Sequence, residues 1–376
     1  MSKYDELITY VKRVSTLSSI GGLLGWDQET MMPPKGIKLR TEEKTLVASL
    51  THEWFSDDKV GKLIEAAKKE SLGEEQQANV RELEWSYKRS KAIPGKWVEE
   101  FERVTTQGIE VWREARQKKN FELFKPYLKK IIELSQEYAK LVDEKRPPYE
   151  VLVESFERGI PFNDIVKFFD RLKEELPPLI KSIKDETDVS VTKQVIALDK
   201  QKEFVKELST YVGYNFEKGR LDESTHPFTG YFGRITTRYE DNWVSTVMST
   251  IHESGHGMYE HGLPEEHFGE PIGESGSFSL HEGMSRYWEN NIGRSLAFWK
   301  GIFPKMKEKY GLSIDVEQFY KIINRVEPGF IRVDADELTY TMHIILRFEL
   351  EKELIEPFPY TLVKETYEAM LPHLKQ

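Results

Sequence analysis

The sequence predicts a mainly α-helical protein that carries a small β element. Apolar residues recur at helical spacing through about the first 140 residues, as at Leu63, Ile64 and Ala67. One short run, GRITTRY at 233–239, instead has the β-branched and aromatic content of a strand. Because no repeat or flexible linker divides the chain, we expect one domain over 1–376, with an N-terminal helical part at about 1–145 and a catalytic part at about 200–376.

Prolines and β-branched residues mark the elements in the first two thirds of the chain. Breaks between helices are predicted at 31–36 and 93–95, because proline removes a helical N–H donor. The alternation at 149–154, after a proline pair, predicts a short strand or an extended entry to the next helix. Residues 188–198 are rich in β-forming residues and predict a further β segment.

Three helices are predicted after the strand at 233–239. They cover about 242–261, 278–292 and 337–354, where the apolar residues again follow helical spacing. The most informative motifs of the chain lie on the first two of these helices.

The composition limits the classes of function that need to be considered. No window approaches the roughly 18 apolar residues that a membrane span needs, and the N-terminus lacks the apolar core of a secretory signal. We therefore expect a cytoplasmic protein with no membrane partner. Acidic residues outnumber basic ones by 64 to 54, and a formal charge of −10 would repel a phosphate backbone, so no nucleic-acid partner is expected.

The strongest local motif is HESGH at 252–256, within a predicted helix. His252 and His256 are four residues apart and share one helix face, so their imidazoles can bind one metal ion. Glu253 lies beside them and can take a proton from a water whose pKa zinc lowers toward about 7. The chain has no cysteine, which leaves His, Asp and Glu as ligands. The motif predicts peptide hydrolysis with Glu253 as base; the alternative is a partly buried helix with two unrelated histidines.

A catalytic zinc site needs a third protein ligand and one open position. The downstream candidates are Glu270, Glu274, Glu282 and Glu289. Glu282 lies near the start of the next predicted helix, and two packed antiparallel helices would bring it opposite the histidines. Spacing alone leaves open that Glu282 only stabilises a helix N-terminus, and that the adjacent His281 takes the ligand role instead.

Arginines near the motif suit the end of a peptide. Arg234, Arg238 and Arg332 are candidates, because a guanidinium can hold a free carboxylate through two parallel hydrogen bonds. Any one of them could define an exopeptidase. The alternative is that each forms a structural ion pair with a neighbouring acid, such as Asp336.

Several segments resemble the motifs of the carboxypeptidase Taq family of metallocarboxypeptidases, and the likeness runs through most of the chain. Besides HESGH, they are GWDQETMMPP at 25–34, HPFT at 226–229, RITTRY at 234–239, HEGMSRYWEN at 281–290 and IRVDADELTY at 331–340. Together these motifs are far more specific than the zinc motif alone.

The resemblance implies a neurolysin-like helical fold with a deep active-site cleft, usually assembled as a homodimer. It implies that Glu282 is the third ligand of a Zn²⁺ ion, although Co²⁺ or Mn²⁺ can use the same ligands. It also implies that the enzyme removes C-terminal residues from peptides with broad specificity. His226, Arg234 and Arg332 match positions implied to shape the site or to bind the substrate's C-terminal carboxylate.

The chain departs from the family pattern at three points. Phe232 replaces an aspartate two residues before Arg234, so the ion pair expected there cannot form, and Gly283 replaces the serine that commonly follows the third ligand. No Gln-Asp-x-His-Trp segment follows residue 354. Tyr360, in a segment similar to one beyond the missing motif, is expected to donate to the developing oxyanion; the alternative is an ordinary aromatic in a turn.

These observations favour a cytoplasmic zinc metallocarboxypeptidase that acts on peptides. Two alternatives stay open from the sequence. The first is a neurolysin-like metallo-oligopeptidase, because the missing segment could open the closed end of the cleft. The second is a catalytically impaired zinc-binding homologue, against which the presence of Glu253 argues, since a structural zinc site needs no base beside its ligands.

Overall fold

The structure, a computed structural model, describes residues 1–239 and 242–356. Most of these residues are helical, and the rest include one small three-stranded sheet. This confirms the predicted fold class. The chain divides into two compact units. The first comprises Met1–Leu152 with Gly262–Gly276, and the second comprises Val153–His261 with Ser277–Gln376.

Helices α1 to α6 lie in the first unit, and α7 spans the end of its main segment. Their bounds are α1 (Lys3–Thr30), α2 (Ile37–Phe55), α3 (Asp58–Ala67), α4 (Glu74–Ala92), α5 (Gly95–Gln117), α6 (Lys125–Val142) and α7 (Pro148–Glu154). The gaps after α1 and α4 confirm both predicted proline breaks.

The second unit contains seven helices and the sheet. In chain order these are α8 (Phe162–Ser182), α9 (Leu198–Val212), β1 (Leu221–Glu223), β2 (Thr229–Gly230), β3 (Arg234–Thr237), α10 (Trp243–His261), α11 (Phe278–Arg286), α12 (Leu296–Tyr310), α13 (Val316–Ile323) and α14 (Glu337–Ile355). The predicted strand and the three predicted C-terminal helices are confirmed as β3, α10, α11 and α14.

Two predicted extended segments form helical structure instead. Residues 149–154 belong to α7, where Tyr149 and Val151 are buried; Pro148 at its first position favours a helix because its fixed φ suits that position and its missing N–H costs nothing there. The segment 188–198 contains a 3₁₀ turn at Ser190–Lys193. The Asp188 side chain accepts hydrogen bonds from the Ser190 N–H and hydroxyl, and this local bonding favours a turn over a strand.

The core of the first unit forms where α1 packs on α3 and α4. Leu7 of α1 and Val60 of α3 are fully buried, and Val80 of α4 lies in the same cluster. Ser2 and Asp5 form a capping box that starts α1. Each helix contributes an apolar stripe at helical spacing, which is the pattern visible in the sequence.

The core of the second unit fixes the orientation of α10. Trp243, Val247 and Ile251 are fully buried and spaced four residues apart, so they form one stripe along the helix. The stripe packs against Trp299 of α12 and Phe319 of α13, whose rings meet edge to face with centroids 4.6 Å apart. Because this face of α10 is held in the core, His252 and His256 project from another face.

The small sheet is attached to α10 by threonine side chains. Its strand order is β1-β3-β2, with β1 parallel and β2 antiparallel to β3. Thr250 donates a hydrogen bond to Thr237 of β3 over 3.2 Å, and Thr246 donates to the carbonyl of Arg238 over 2.9 Å. The edge strand β2 is thereby held alongside the face of α10 that carries Glu253.

None of the helices in the described ranges is both long enough and apolar enough to cross a membrane.

We expect Trp299→Ala to destabilise the second unit by about 3–5 kcal/mol, because it leaves a large cavity against Phe319. It also removes the hydrogen bond from the indole N–H to the Gly293 carbonyl. Thermal unfolding monitored by circular dichroism measures the loss. Tyr320→Ala, at a 38% exposed position of α13, is the control and should change the midpoint little; equal midpoints for both variants would contradict the assigned core.

Candidate metal centre

The candidate site is built on the contact between α10 and α11. Gly255 lies between the two histidines of α10, and a Cβ added there would come within 2.9 Å of the Ser285 Cα and 3.2 Å of the Met284 carbonyl oxygen. The backbones of the two helices therefore approach more closely than any side chain at position 255 would allow. This contact brings Glu282 of α11 to the histidines of α10.

His252, His256 and Glu282 form a compact group of possible metal ligands, with all three ligand atoms within 4.8 Å of one another. Glu282 Oε2 lies 3.5 Å from His252 Nε2 and 3.2 Å from His256 Nε2. Tetrahedral zinc with bonds of about 2.1 Å separates its ligand atoms by about 3.4 Å. The donor set and its spacing therefore fit a zinc-sized ion. Of the four acids considered from the sequence, Glu282 is the one that joins both histidines.

Glu289, another of those four acids, binds the far side of His252. Its Oε2 lies 2.8 Å from His252 Nδ1. It belongs to a π-helical turn, Tyr287–Ile292, that continues α11; such turns are frequent at functional sites because they shift side chains out of the α-helical register. Since metal-binding histidines commonly donate their second N–H to a carboxylate, Glu289 has the position of a supporting residue.

His281 supports His256 rather than joining the ligand atoms. Its Nδ1 lies 2.5 Å from His256 Nδ1, and its Nε2 lies 2.7 Å from Oε1 of Glu260. The sequence left His281 as a competitor for the ligand role. In the structure His281 Nδ1 contacts His256 Nδ1, whereas Glu282 contacts the other ring nitrogen of His256, Nε2.

Arg286 joins the two carboxylates of α11 and its π-helical extension. Its Nε donates to Glu282 over 2.9 Å and its Nη1 donates to Glu289 over 3.0 Å. Its guanidinium lies over the ring of Tyr340 with 3.8 Å to the centroid. Arg294 adds a second cation 3.6 Å from Glu289. The negative charge around the histidines is thus partly balanced within the second unit.

These contacts shift the pKa values of the group. Burial lowers the pKa of His252, but hydrogen bonds to Glu282 and Glu289 outweigh burial and raise it to about 10. Burial raises the pKa of Glu282, but its hydrogen bonds to both histidines hold that pKa well below its usual range. Burial also raises the pKa of Glu289, but the hydrogen bond from His252 outweighs burial and lowers that pKa below its usual value. Without a metal, a proton on His252 supplies the positive charge that the carboxylates favour.

Glu253 is buried beside the ligand group, with 5% of its surface exposed. Its Oε2 accepts a hydrogen bond of 2.7 Å from the hydroxyl of Thr229 in strand β2. Burial raises the pKa of Glu253, and the charges of the histidines and the Thr229 hydrogen bond oppose that shift. A carboxylate whose pKa is raised toward neutrality is a stronger base, which suits proton transfer near pH 7.

A cavity of about 540 Å³ lies beside this group and is lined by several of the predicted site residues. His226, Arg238 and Arg332 line it together with His252 and Glu253. Arg238 donates to the carbonyl of Thr225 over 3.3 Å. Of the predicted substrate-binding residues, His226 and Arg332 therefore share the cavity with the proposed base.

Arg332 is held by an aromatic hydroxyl. Its Nη1 donates a hydrogen bond of 2.6 Å to the Tyr340 oxygen. The ring of Tyr340 also carries Arg286 on its face, so Arg332 and the ligand Glu282 are connected through two side chains. Among the described side chains, which do not include that of Asp334, the structure pairs Arg332 with no carboxylate.

Of the two other predicted substrate-binding residues, the structure describes only Arg234. Arg234 is not among the described residues that line the cavity; its guanidinium lies over the Tyr231 ring, with 4.8 Å to the centroid. The preceding Phe232, which replaces the family aspartate, has a φ of 56° and is 50% exposed. Tyr360 lies outside the described residues.

Three residues of the site were missed by reasoning from the sequence. Glu260 follows His256 by four residues, so helical spacing could have found it on the same face of α10. Thr229 was noted only as part of a motif, and its contact with Glu253 depends on the sheet attachment. Tyr340 was likewise noted only as part of a motif, because its role depends on two arginines from different elements.

Comparison with known proteins identifies the family. A family model described as carboxypeptidase Taq (M32) metallopeptidase matches residues 6–358. The chain belongs to this family. Glu253 and the three candidate ligands lie inside the matched range.

Individual relatives agree with this assignment. The chain is 36% identical to thermostable carboxypeptidase 1 of Thermus thermophilus, over 99% of this chain and 78% of the relative. The solved structure of a Pyrococcus furiosus carboxypeptidase superposes with a TM-score of 0.86 at 32% identity, over 95% of this chain and 74% of the other. Metallocarboxypeptidase 1 of Trypanosoma cruzi gives 0.83 at 32% identity, over 94% and 74%.

Family membership makes the chain a metallocarboxypeptidase, a hydrolase of peptides that uses a divalent metal. This confirms the class of enzyme predicted from the motifs. Neither the oligopeptidase nor the catalytically impaired homologue is favoured.

Gly255→Ala tests whether the close helix contact positions the ligands. The added methyl group meets the α11 backbone, so we expect α11 to move away and zinc affinity to fall by about 10–100-fold, as when ligand support is lost. Gly283→Ala is the matched control, because a Cβ there has no atom within 4 Å although it adjoins Glu282. Competition with a chromogenic chelator measures both affinities; equal weakening would contradict the steric explanation.

The raised pKa of His252 predicts proton release on metal binding. At pH 8 the metal-free protein holds a proton on His252, and a ligating imidazole must lose it, so zinc binding should release this proton in addition to any lost by the zinc-bound water. The part of the release that comes from His252 should disappear as the pH rises above about 10. Calorimetry in buffers of different ionisation enthalpy measures it. Glu289→Gln removes a negative charge that favours the proton and should reduce the release at pH 8; an unchanged release would contradict the assignment to His252.

Proposed function

We propose that the enzyme is a zinc metallocarboxypeptidase in which His252, His256 and Glu282 hold the ion and Glu253 is the general base. The observation that carries the proposal is the buried Glu253 carboxylate, which lines the same cavity as one histidine of a ligand group spaced for a zinc-sized ion. A structural site would need no base at that position. Co²⁺ and Mn²⁺ can use the same donors and are the alternative ions.

In the proposed reaction Glu253 transfers the proton and Thr229 orients Glu253. When bound, the metal supplies Lewis-acid chemistry, lowering the pKa of a water and polarising the scissile carbonyl. Glu253 takes the proton of the attacking water on its carboxylate and delivers it to the leaving amine. Thr229, which donates to Glu253 Oε2 over 2.7 Å, holds the carboxylate in one orientation while leaving Oε1 for the proton.

We propose Arg332 as the residue that binds the C-terminal carboxylate of the peptide. It lines the cavity with Glu253, and its guanidinium can form two parallel hydrogen bonds to a carboxylate. Its contact with the Tyr340 hydroxyl limits its rotation before substrate arrives. His226, which also lines the cavity, contributes to its shape.

Arg234 is proposed only as an outer contact for longer peptides, because it stacks on Tyr231. Tyr360 is proposed as an oxyanion donor. A cytoplasmic location, a homodimer, and one helical metallopeptidase domain over 1–376 complete the proposal.

The deciding experiment compares a free peptide with its C-terminally amidated form. Stepwise release of amino acids from the free peptide only is expected, because Arg332 discriminates a carboxylate from an amide. Arg332→Gln should lower kcat/KM for the free peptide by about 2 to 3 orders of magnitude, as expected for a lost charged hydrogen-bond pair, and should leave the residual rate on the amidated form unchanged.

Two controls separate recognition from chemistry. Glu253→Gln should lower kcat by about 10²–10⁴ while the variant still binds zinc, because only the base is lost. Chelation should abolish activity and zinc should restore it. Internal cleavage of both peptide forms at equal rates would indicate an oligopeptidase, and no cleavage by zinc-loaded protein would indicate the impaired homologue.

A further inference from the structure

The two histidines of the ligand group are supported in different ways. His252 Nδ1 contacts the Glu289 carboxylate directly, over 2.8 Å. His256 Nδ1 contacts another imidazole, that of His281, over 2.5 Å. A carboxylate can only accept a hydrogen bond, whereas a neutral imidazole can accept or donate at either nitrogen. The His256 contact therefore does not by itself decide which nitrogen of His256 carries a proton.

Glu260 removes this ambiguity. Its Oε1 lies 2.7 Å from His281 Nε2, and an ionised carboxylate accepts, so His281 carries its proton on Nε2. The Nδ1 of a neutral His281 is then a bare acceptor. Because two bare nitrogens 2.5 Å apart would repel, His256 Nδ1 must donate to it. Glu282 Oε2, 3.2 Å from His256 Nε2, competes for the same proton, but that contact is longer than the 2.5 Å contact at Nδ1. With the proton on Nδ1, the Nε2 of His256 keeps its lone pair for a metal.

We propose that Glu260 and His281 form a positioning relay that holds His256 in the single tautomer able to bind the metal. The relay acts through hydrogen-bond direction, and no member changes its charge. This inference rests on the proposed metal site and assigns positioning roles to two residues outside the ligand set.

Packing supports a fixed orientation of the His281 ring. The rings of His256 and His281 lie 4.5 Å apart, and Tyr259 meets His281 edge to face at 5.1 Å. Both relay residues come from the same two helices that supply the ligands. Glu260 follows His256 by one turn of α10, and His281 precedes Glu282 in α11. The helix contact at Gly255 that assembles the ligands therefore assembles the relay as well.

Without the Glu260 carboxylate the relay can run in the opposite direction. His281 can then carry its proton on Nδ1 and donate it to His256 Nδ1. His256 would in turn carry its proton on Nε2, the nitrogen that faces the ligand group. A metal must then displace that proton or force both rings to exchange tautomers, which weakens binding.

The test compares two replacements of His281 in the full-length protein. Asparagine can present its carbonyl oxygen near the position of the imidazole Nδ1, so it still accepts from His256, whereas leucine has a similar volume and no acceptor. His281→Leu should weaken zinc binding by about 10–100-fold, the usual cost of losing an outer partner of a ligand. His281→Asn should restore most of that loss. Competition with a chromogenic chelator measures the dissociation constants.

A spectroscopic readout separates positioning from general structure. ¹⁵N shifts of labelled histidines in the metal-free protein report which nitrogen of His256 is protonated; the wild type and His281→Asn should have the Nδ1–H form, and His281→Leu a mixture. Glu260→Leu, two contacts from the ligand atoms, should change the tautomer in the same direction with a smaller loss of affinity. Leu280→Ala, exposed and adjacent to His281, is the control and should leave both readouts unchanged.

Each outcome decides a different point. Zinc binding by a folded His281→Leu variant as tight as that of the wild type would overturn the relay, and so would equal weakening by leucine and asparagine. If the wild type itself failed to bind zinc, the proposed metal site would be wrong and the relay with it. A wild type that binds zinc, with the predicted order of variants, supports both.

Discussion

The close approach of α10 and α11 at Gly255 is the constraint on which the rest of the site depends. An i, i+4 pair on one helix fixes the two histidines relative to each other whatever the surrounding fold. No local rule positions the third donor, Glu282, because it belongs to another helix. The chain between the two helices includes the segment Gly262–Gly276, which belongs to the first unit. The separations of 3.5 and 3.2 Å therefore exist only because no side chain at position 255 keeps the helices apart.

The charges around the histidines make sense only with a cation between them. Glu282, Glu289 and the buried Glu253 surround two imidazoles, and confining several carboxylates away from water is costly unless opposite charge is supplied. Arg286 and Arg294 balance part of this charge from the outer side. The unbalanced remainder lies on the inner side, where the histidine Nε2 atoms meet Glu282. The same imbalance that raises the pKa of His252 without a metal is what favours a divalent ion.

Local rules explain how much of the fold and site could be predicted from the sequence. Periodicity correctly predicted α10, whose apolar stripe is packed in the core. It also predicted α11, although Phe278 and Leu280 are exposed there. It failed at 149–154, where two buried residues in a short helix resemble strand alternation, and at Asp188, whose side chain caps a turn among β-branched residues. The choice of Glu282 among four acids needed the helix contact or the family resemblance. The relay needed atom positions, because nothing in the spacing of His281 separates a ligand from a partner of a ligand.

The contacts of Tyr340 support the proposed role of Arg332 in binding the C-terminal carboxylate of the peptide, despite the change at Phe232. With φ at 56° and no carboxylate at position 232, the loop before β3 leaves Arg234 stacked on Tyr231. Arg332 is instead connected to the ligand group through Tyr340, Arg286 and Glu282, each in contact with the next. A carboxypeptidase removes one residue at a time only if the distance from carboxylate binder to metal is fixed, since small misplacements of reacting groups cost large factors in rate. A stacked aromatic ring between two guanidinium groups is a stiff spacer for that purpose, and it keeps the distance independent of the altered loop.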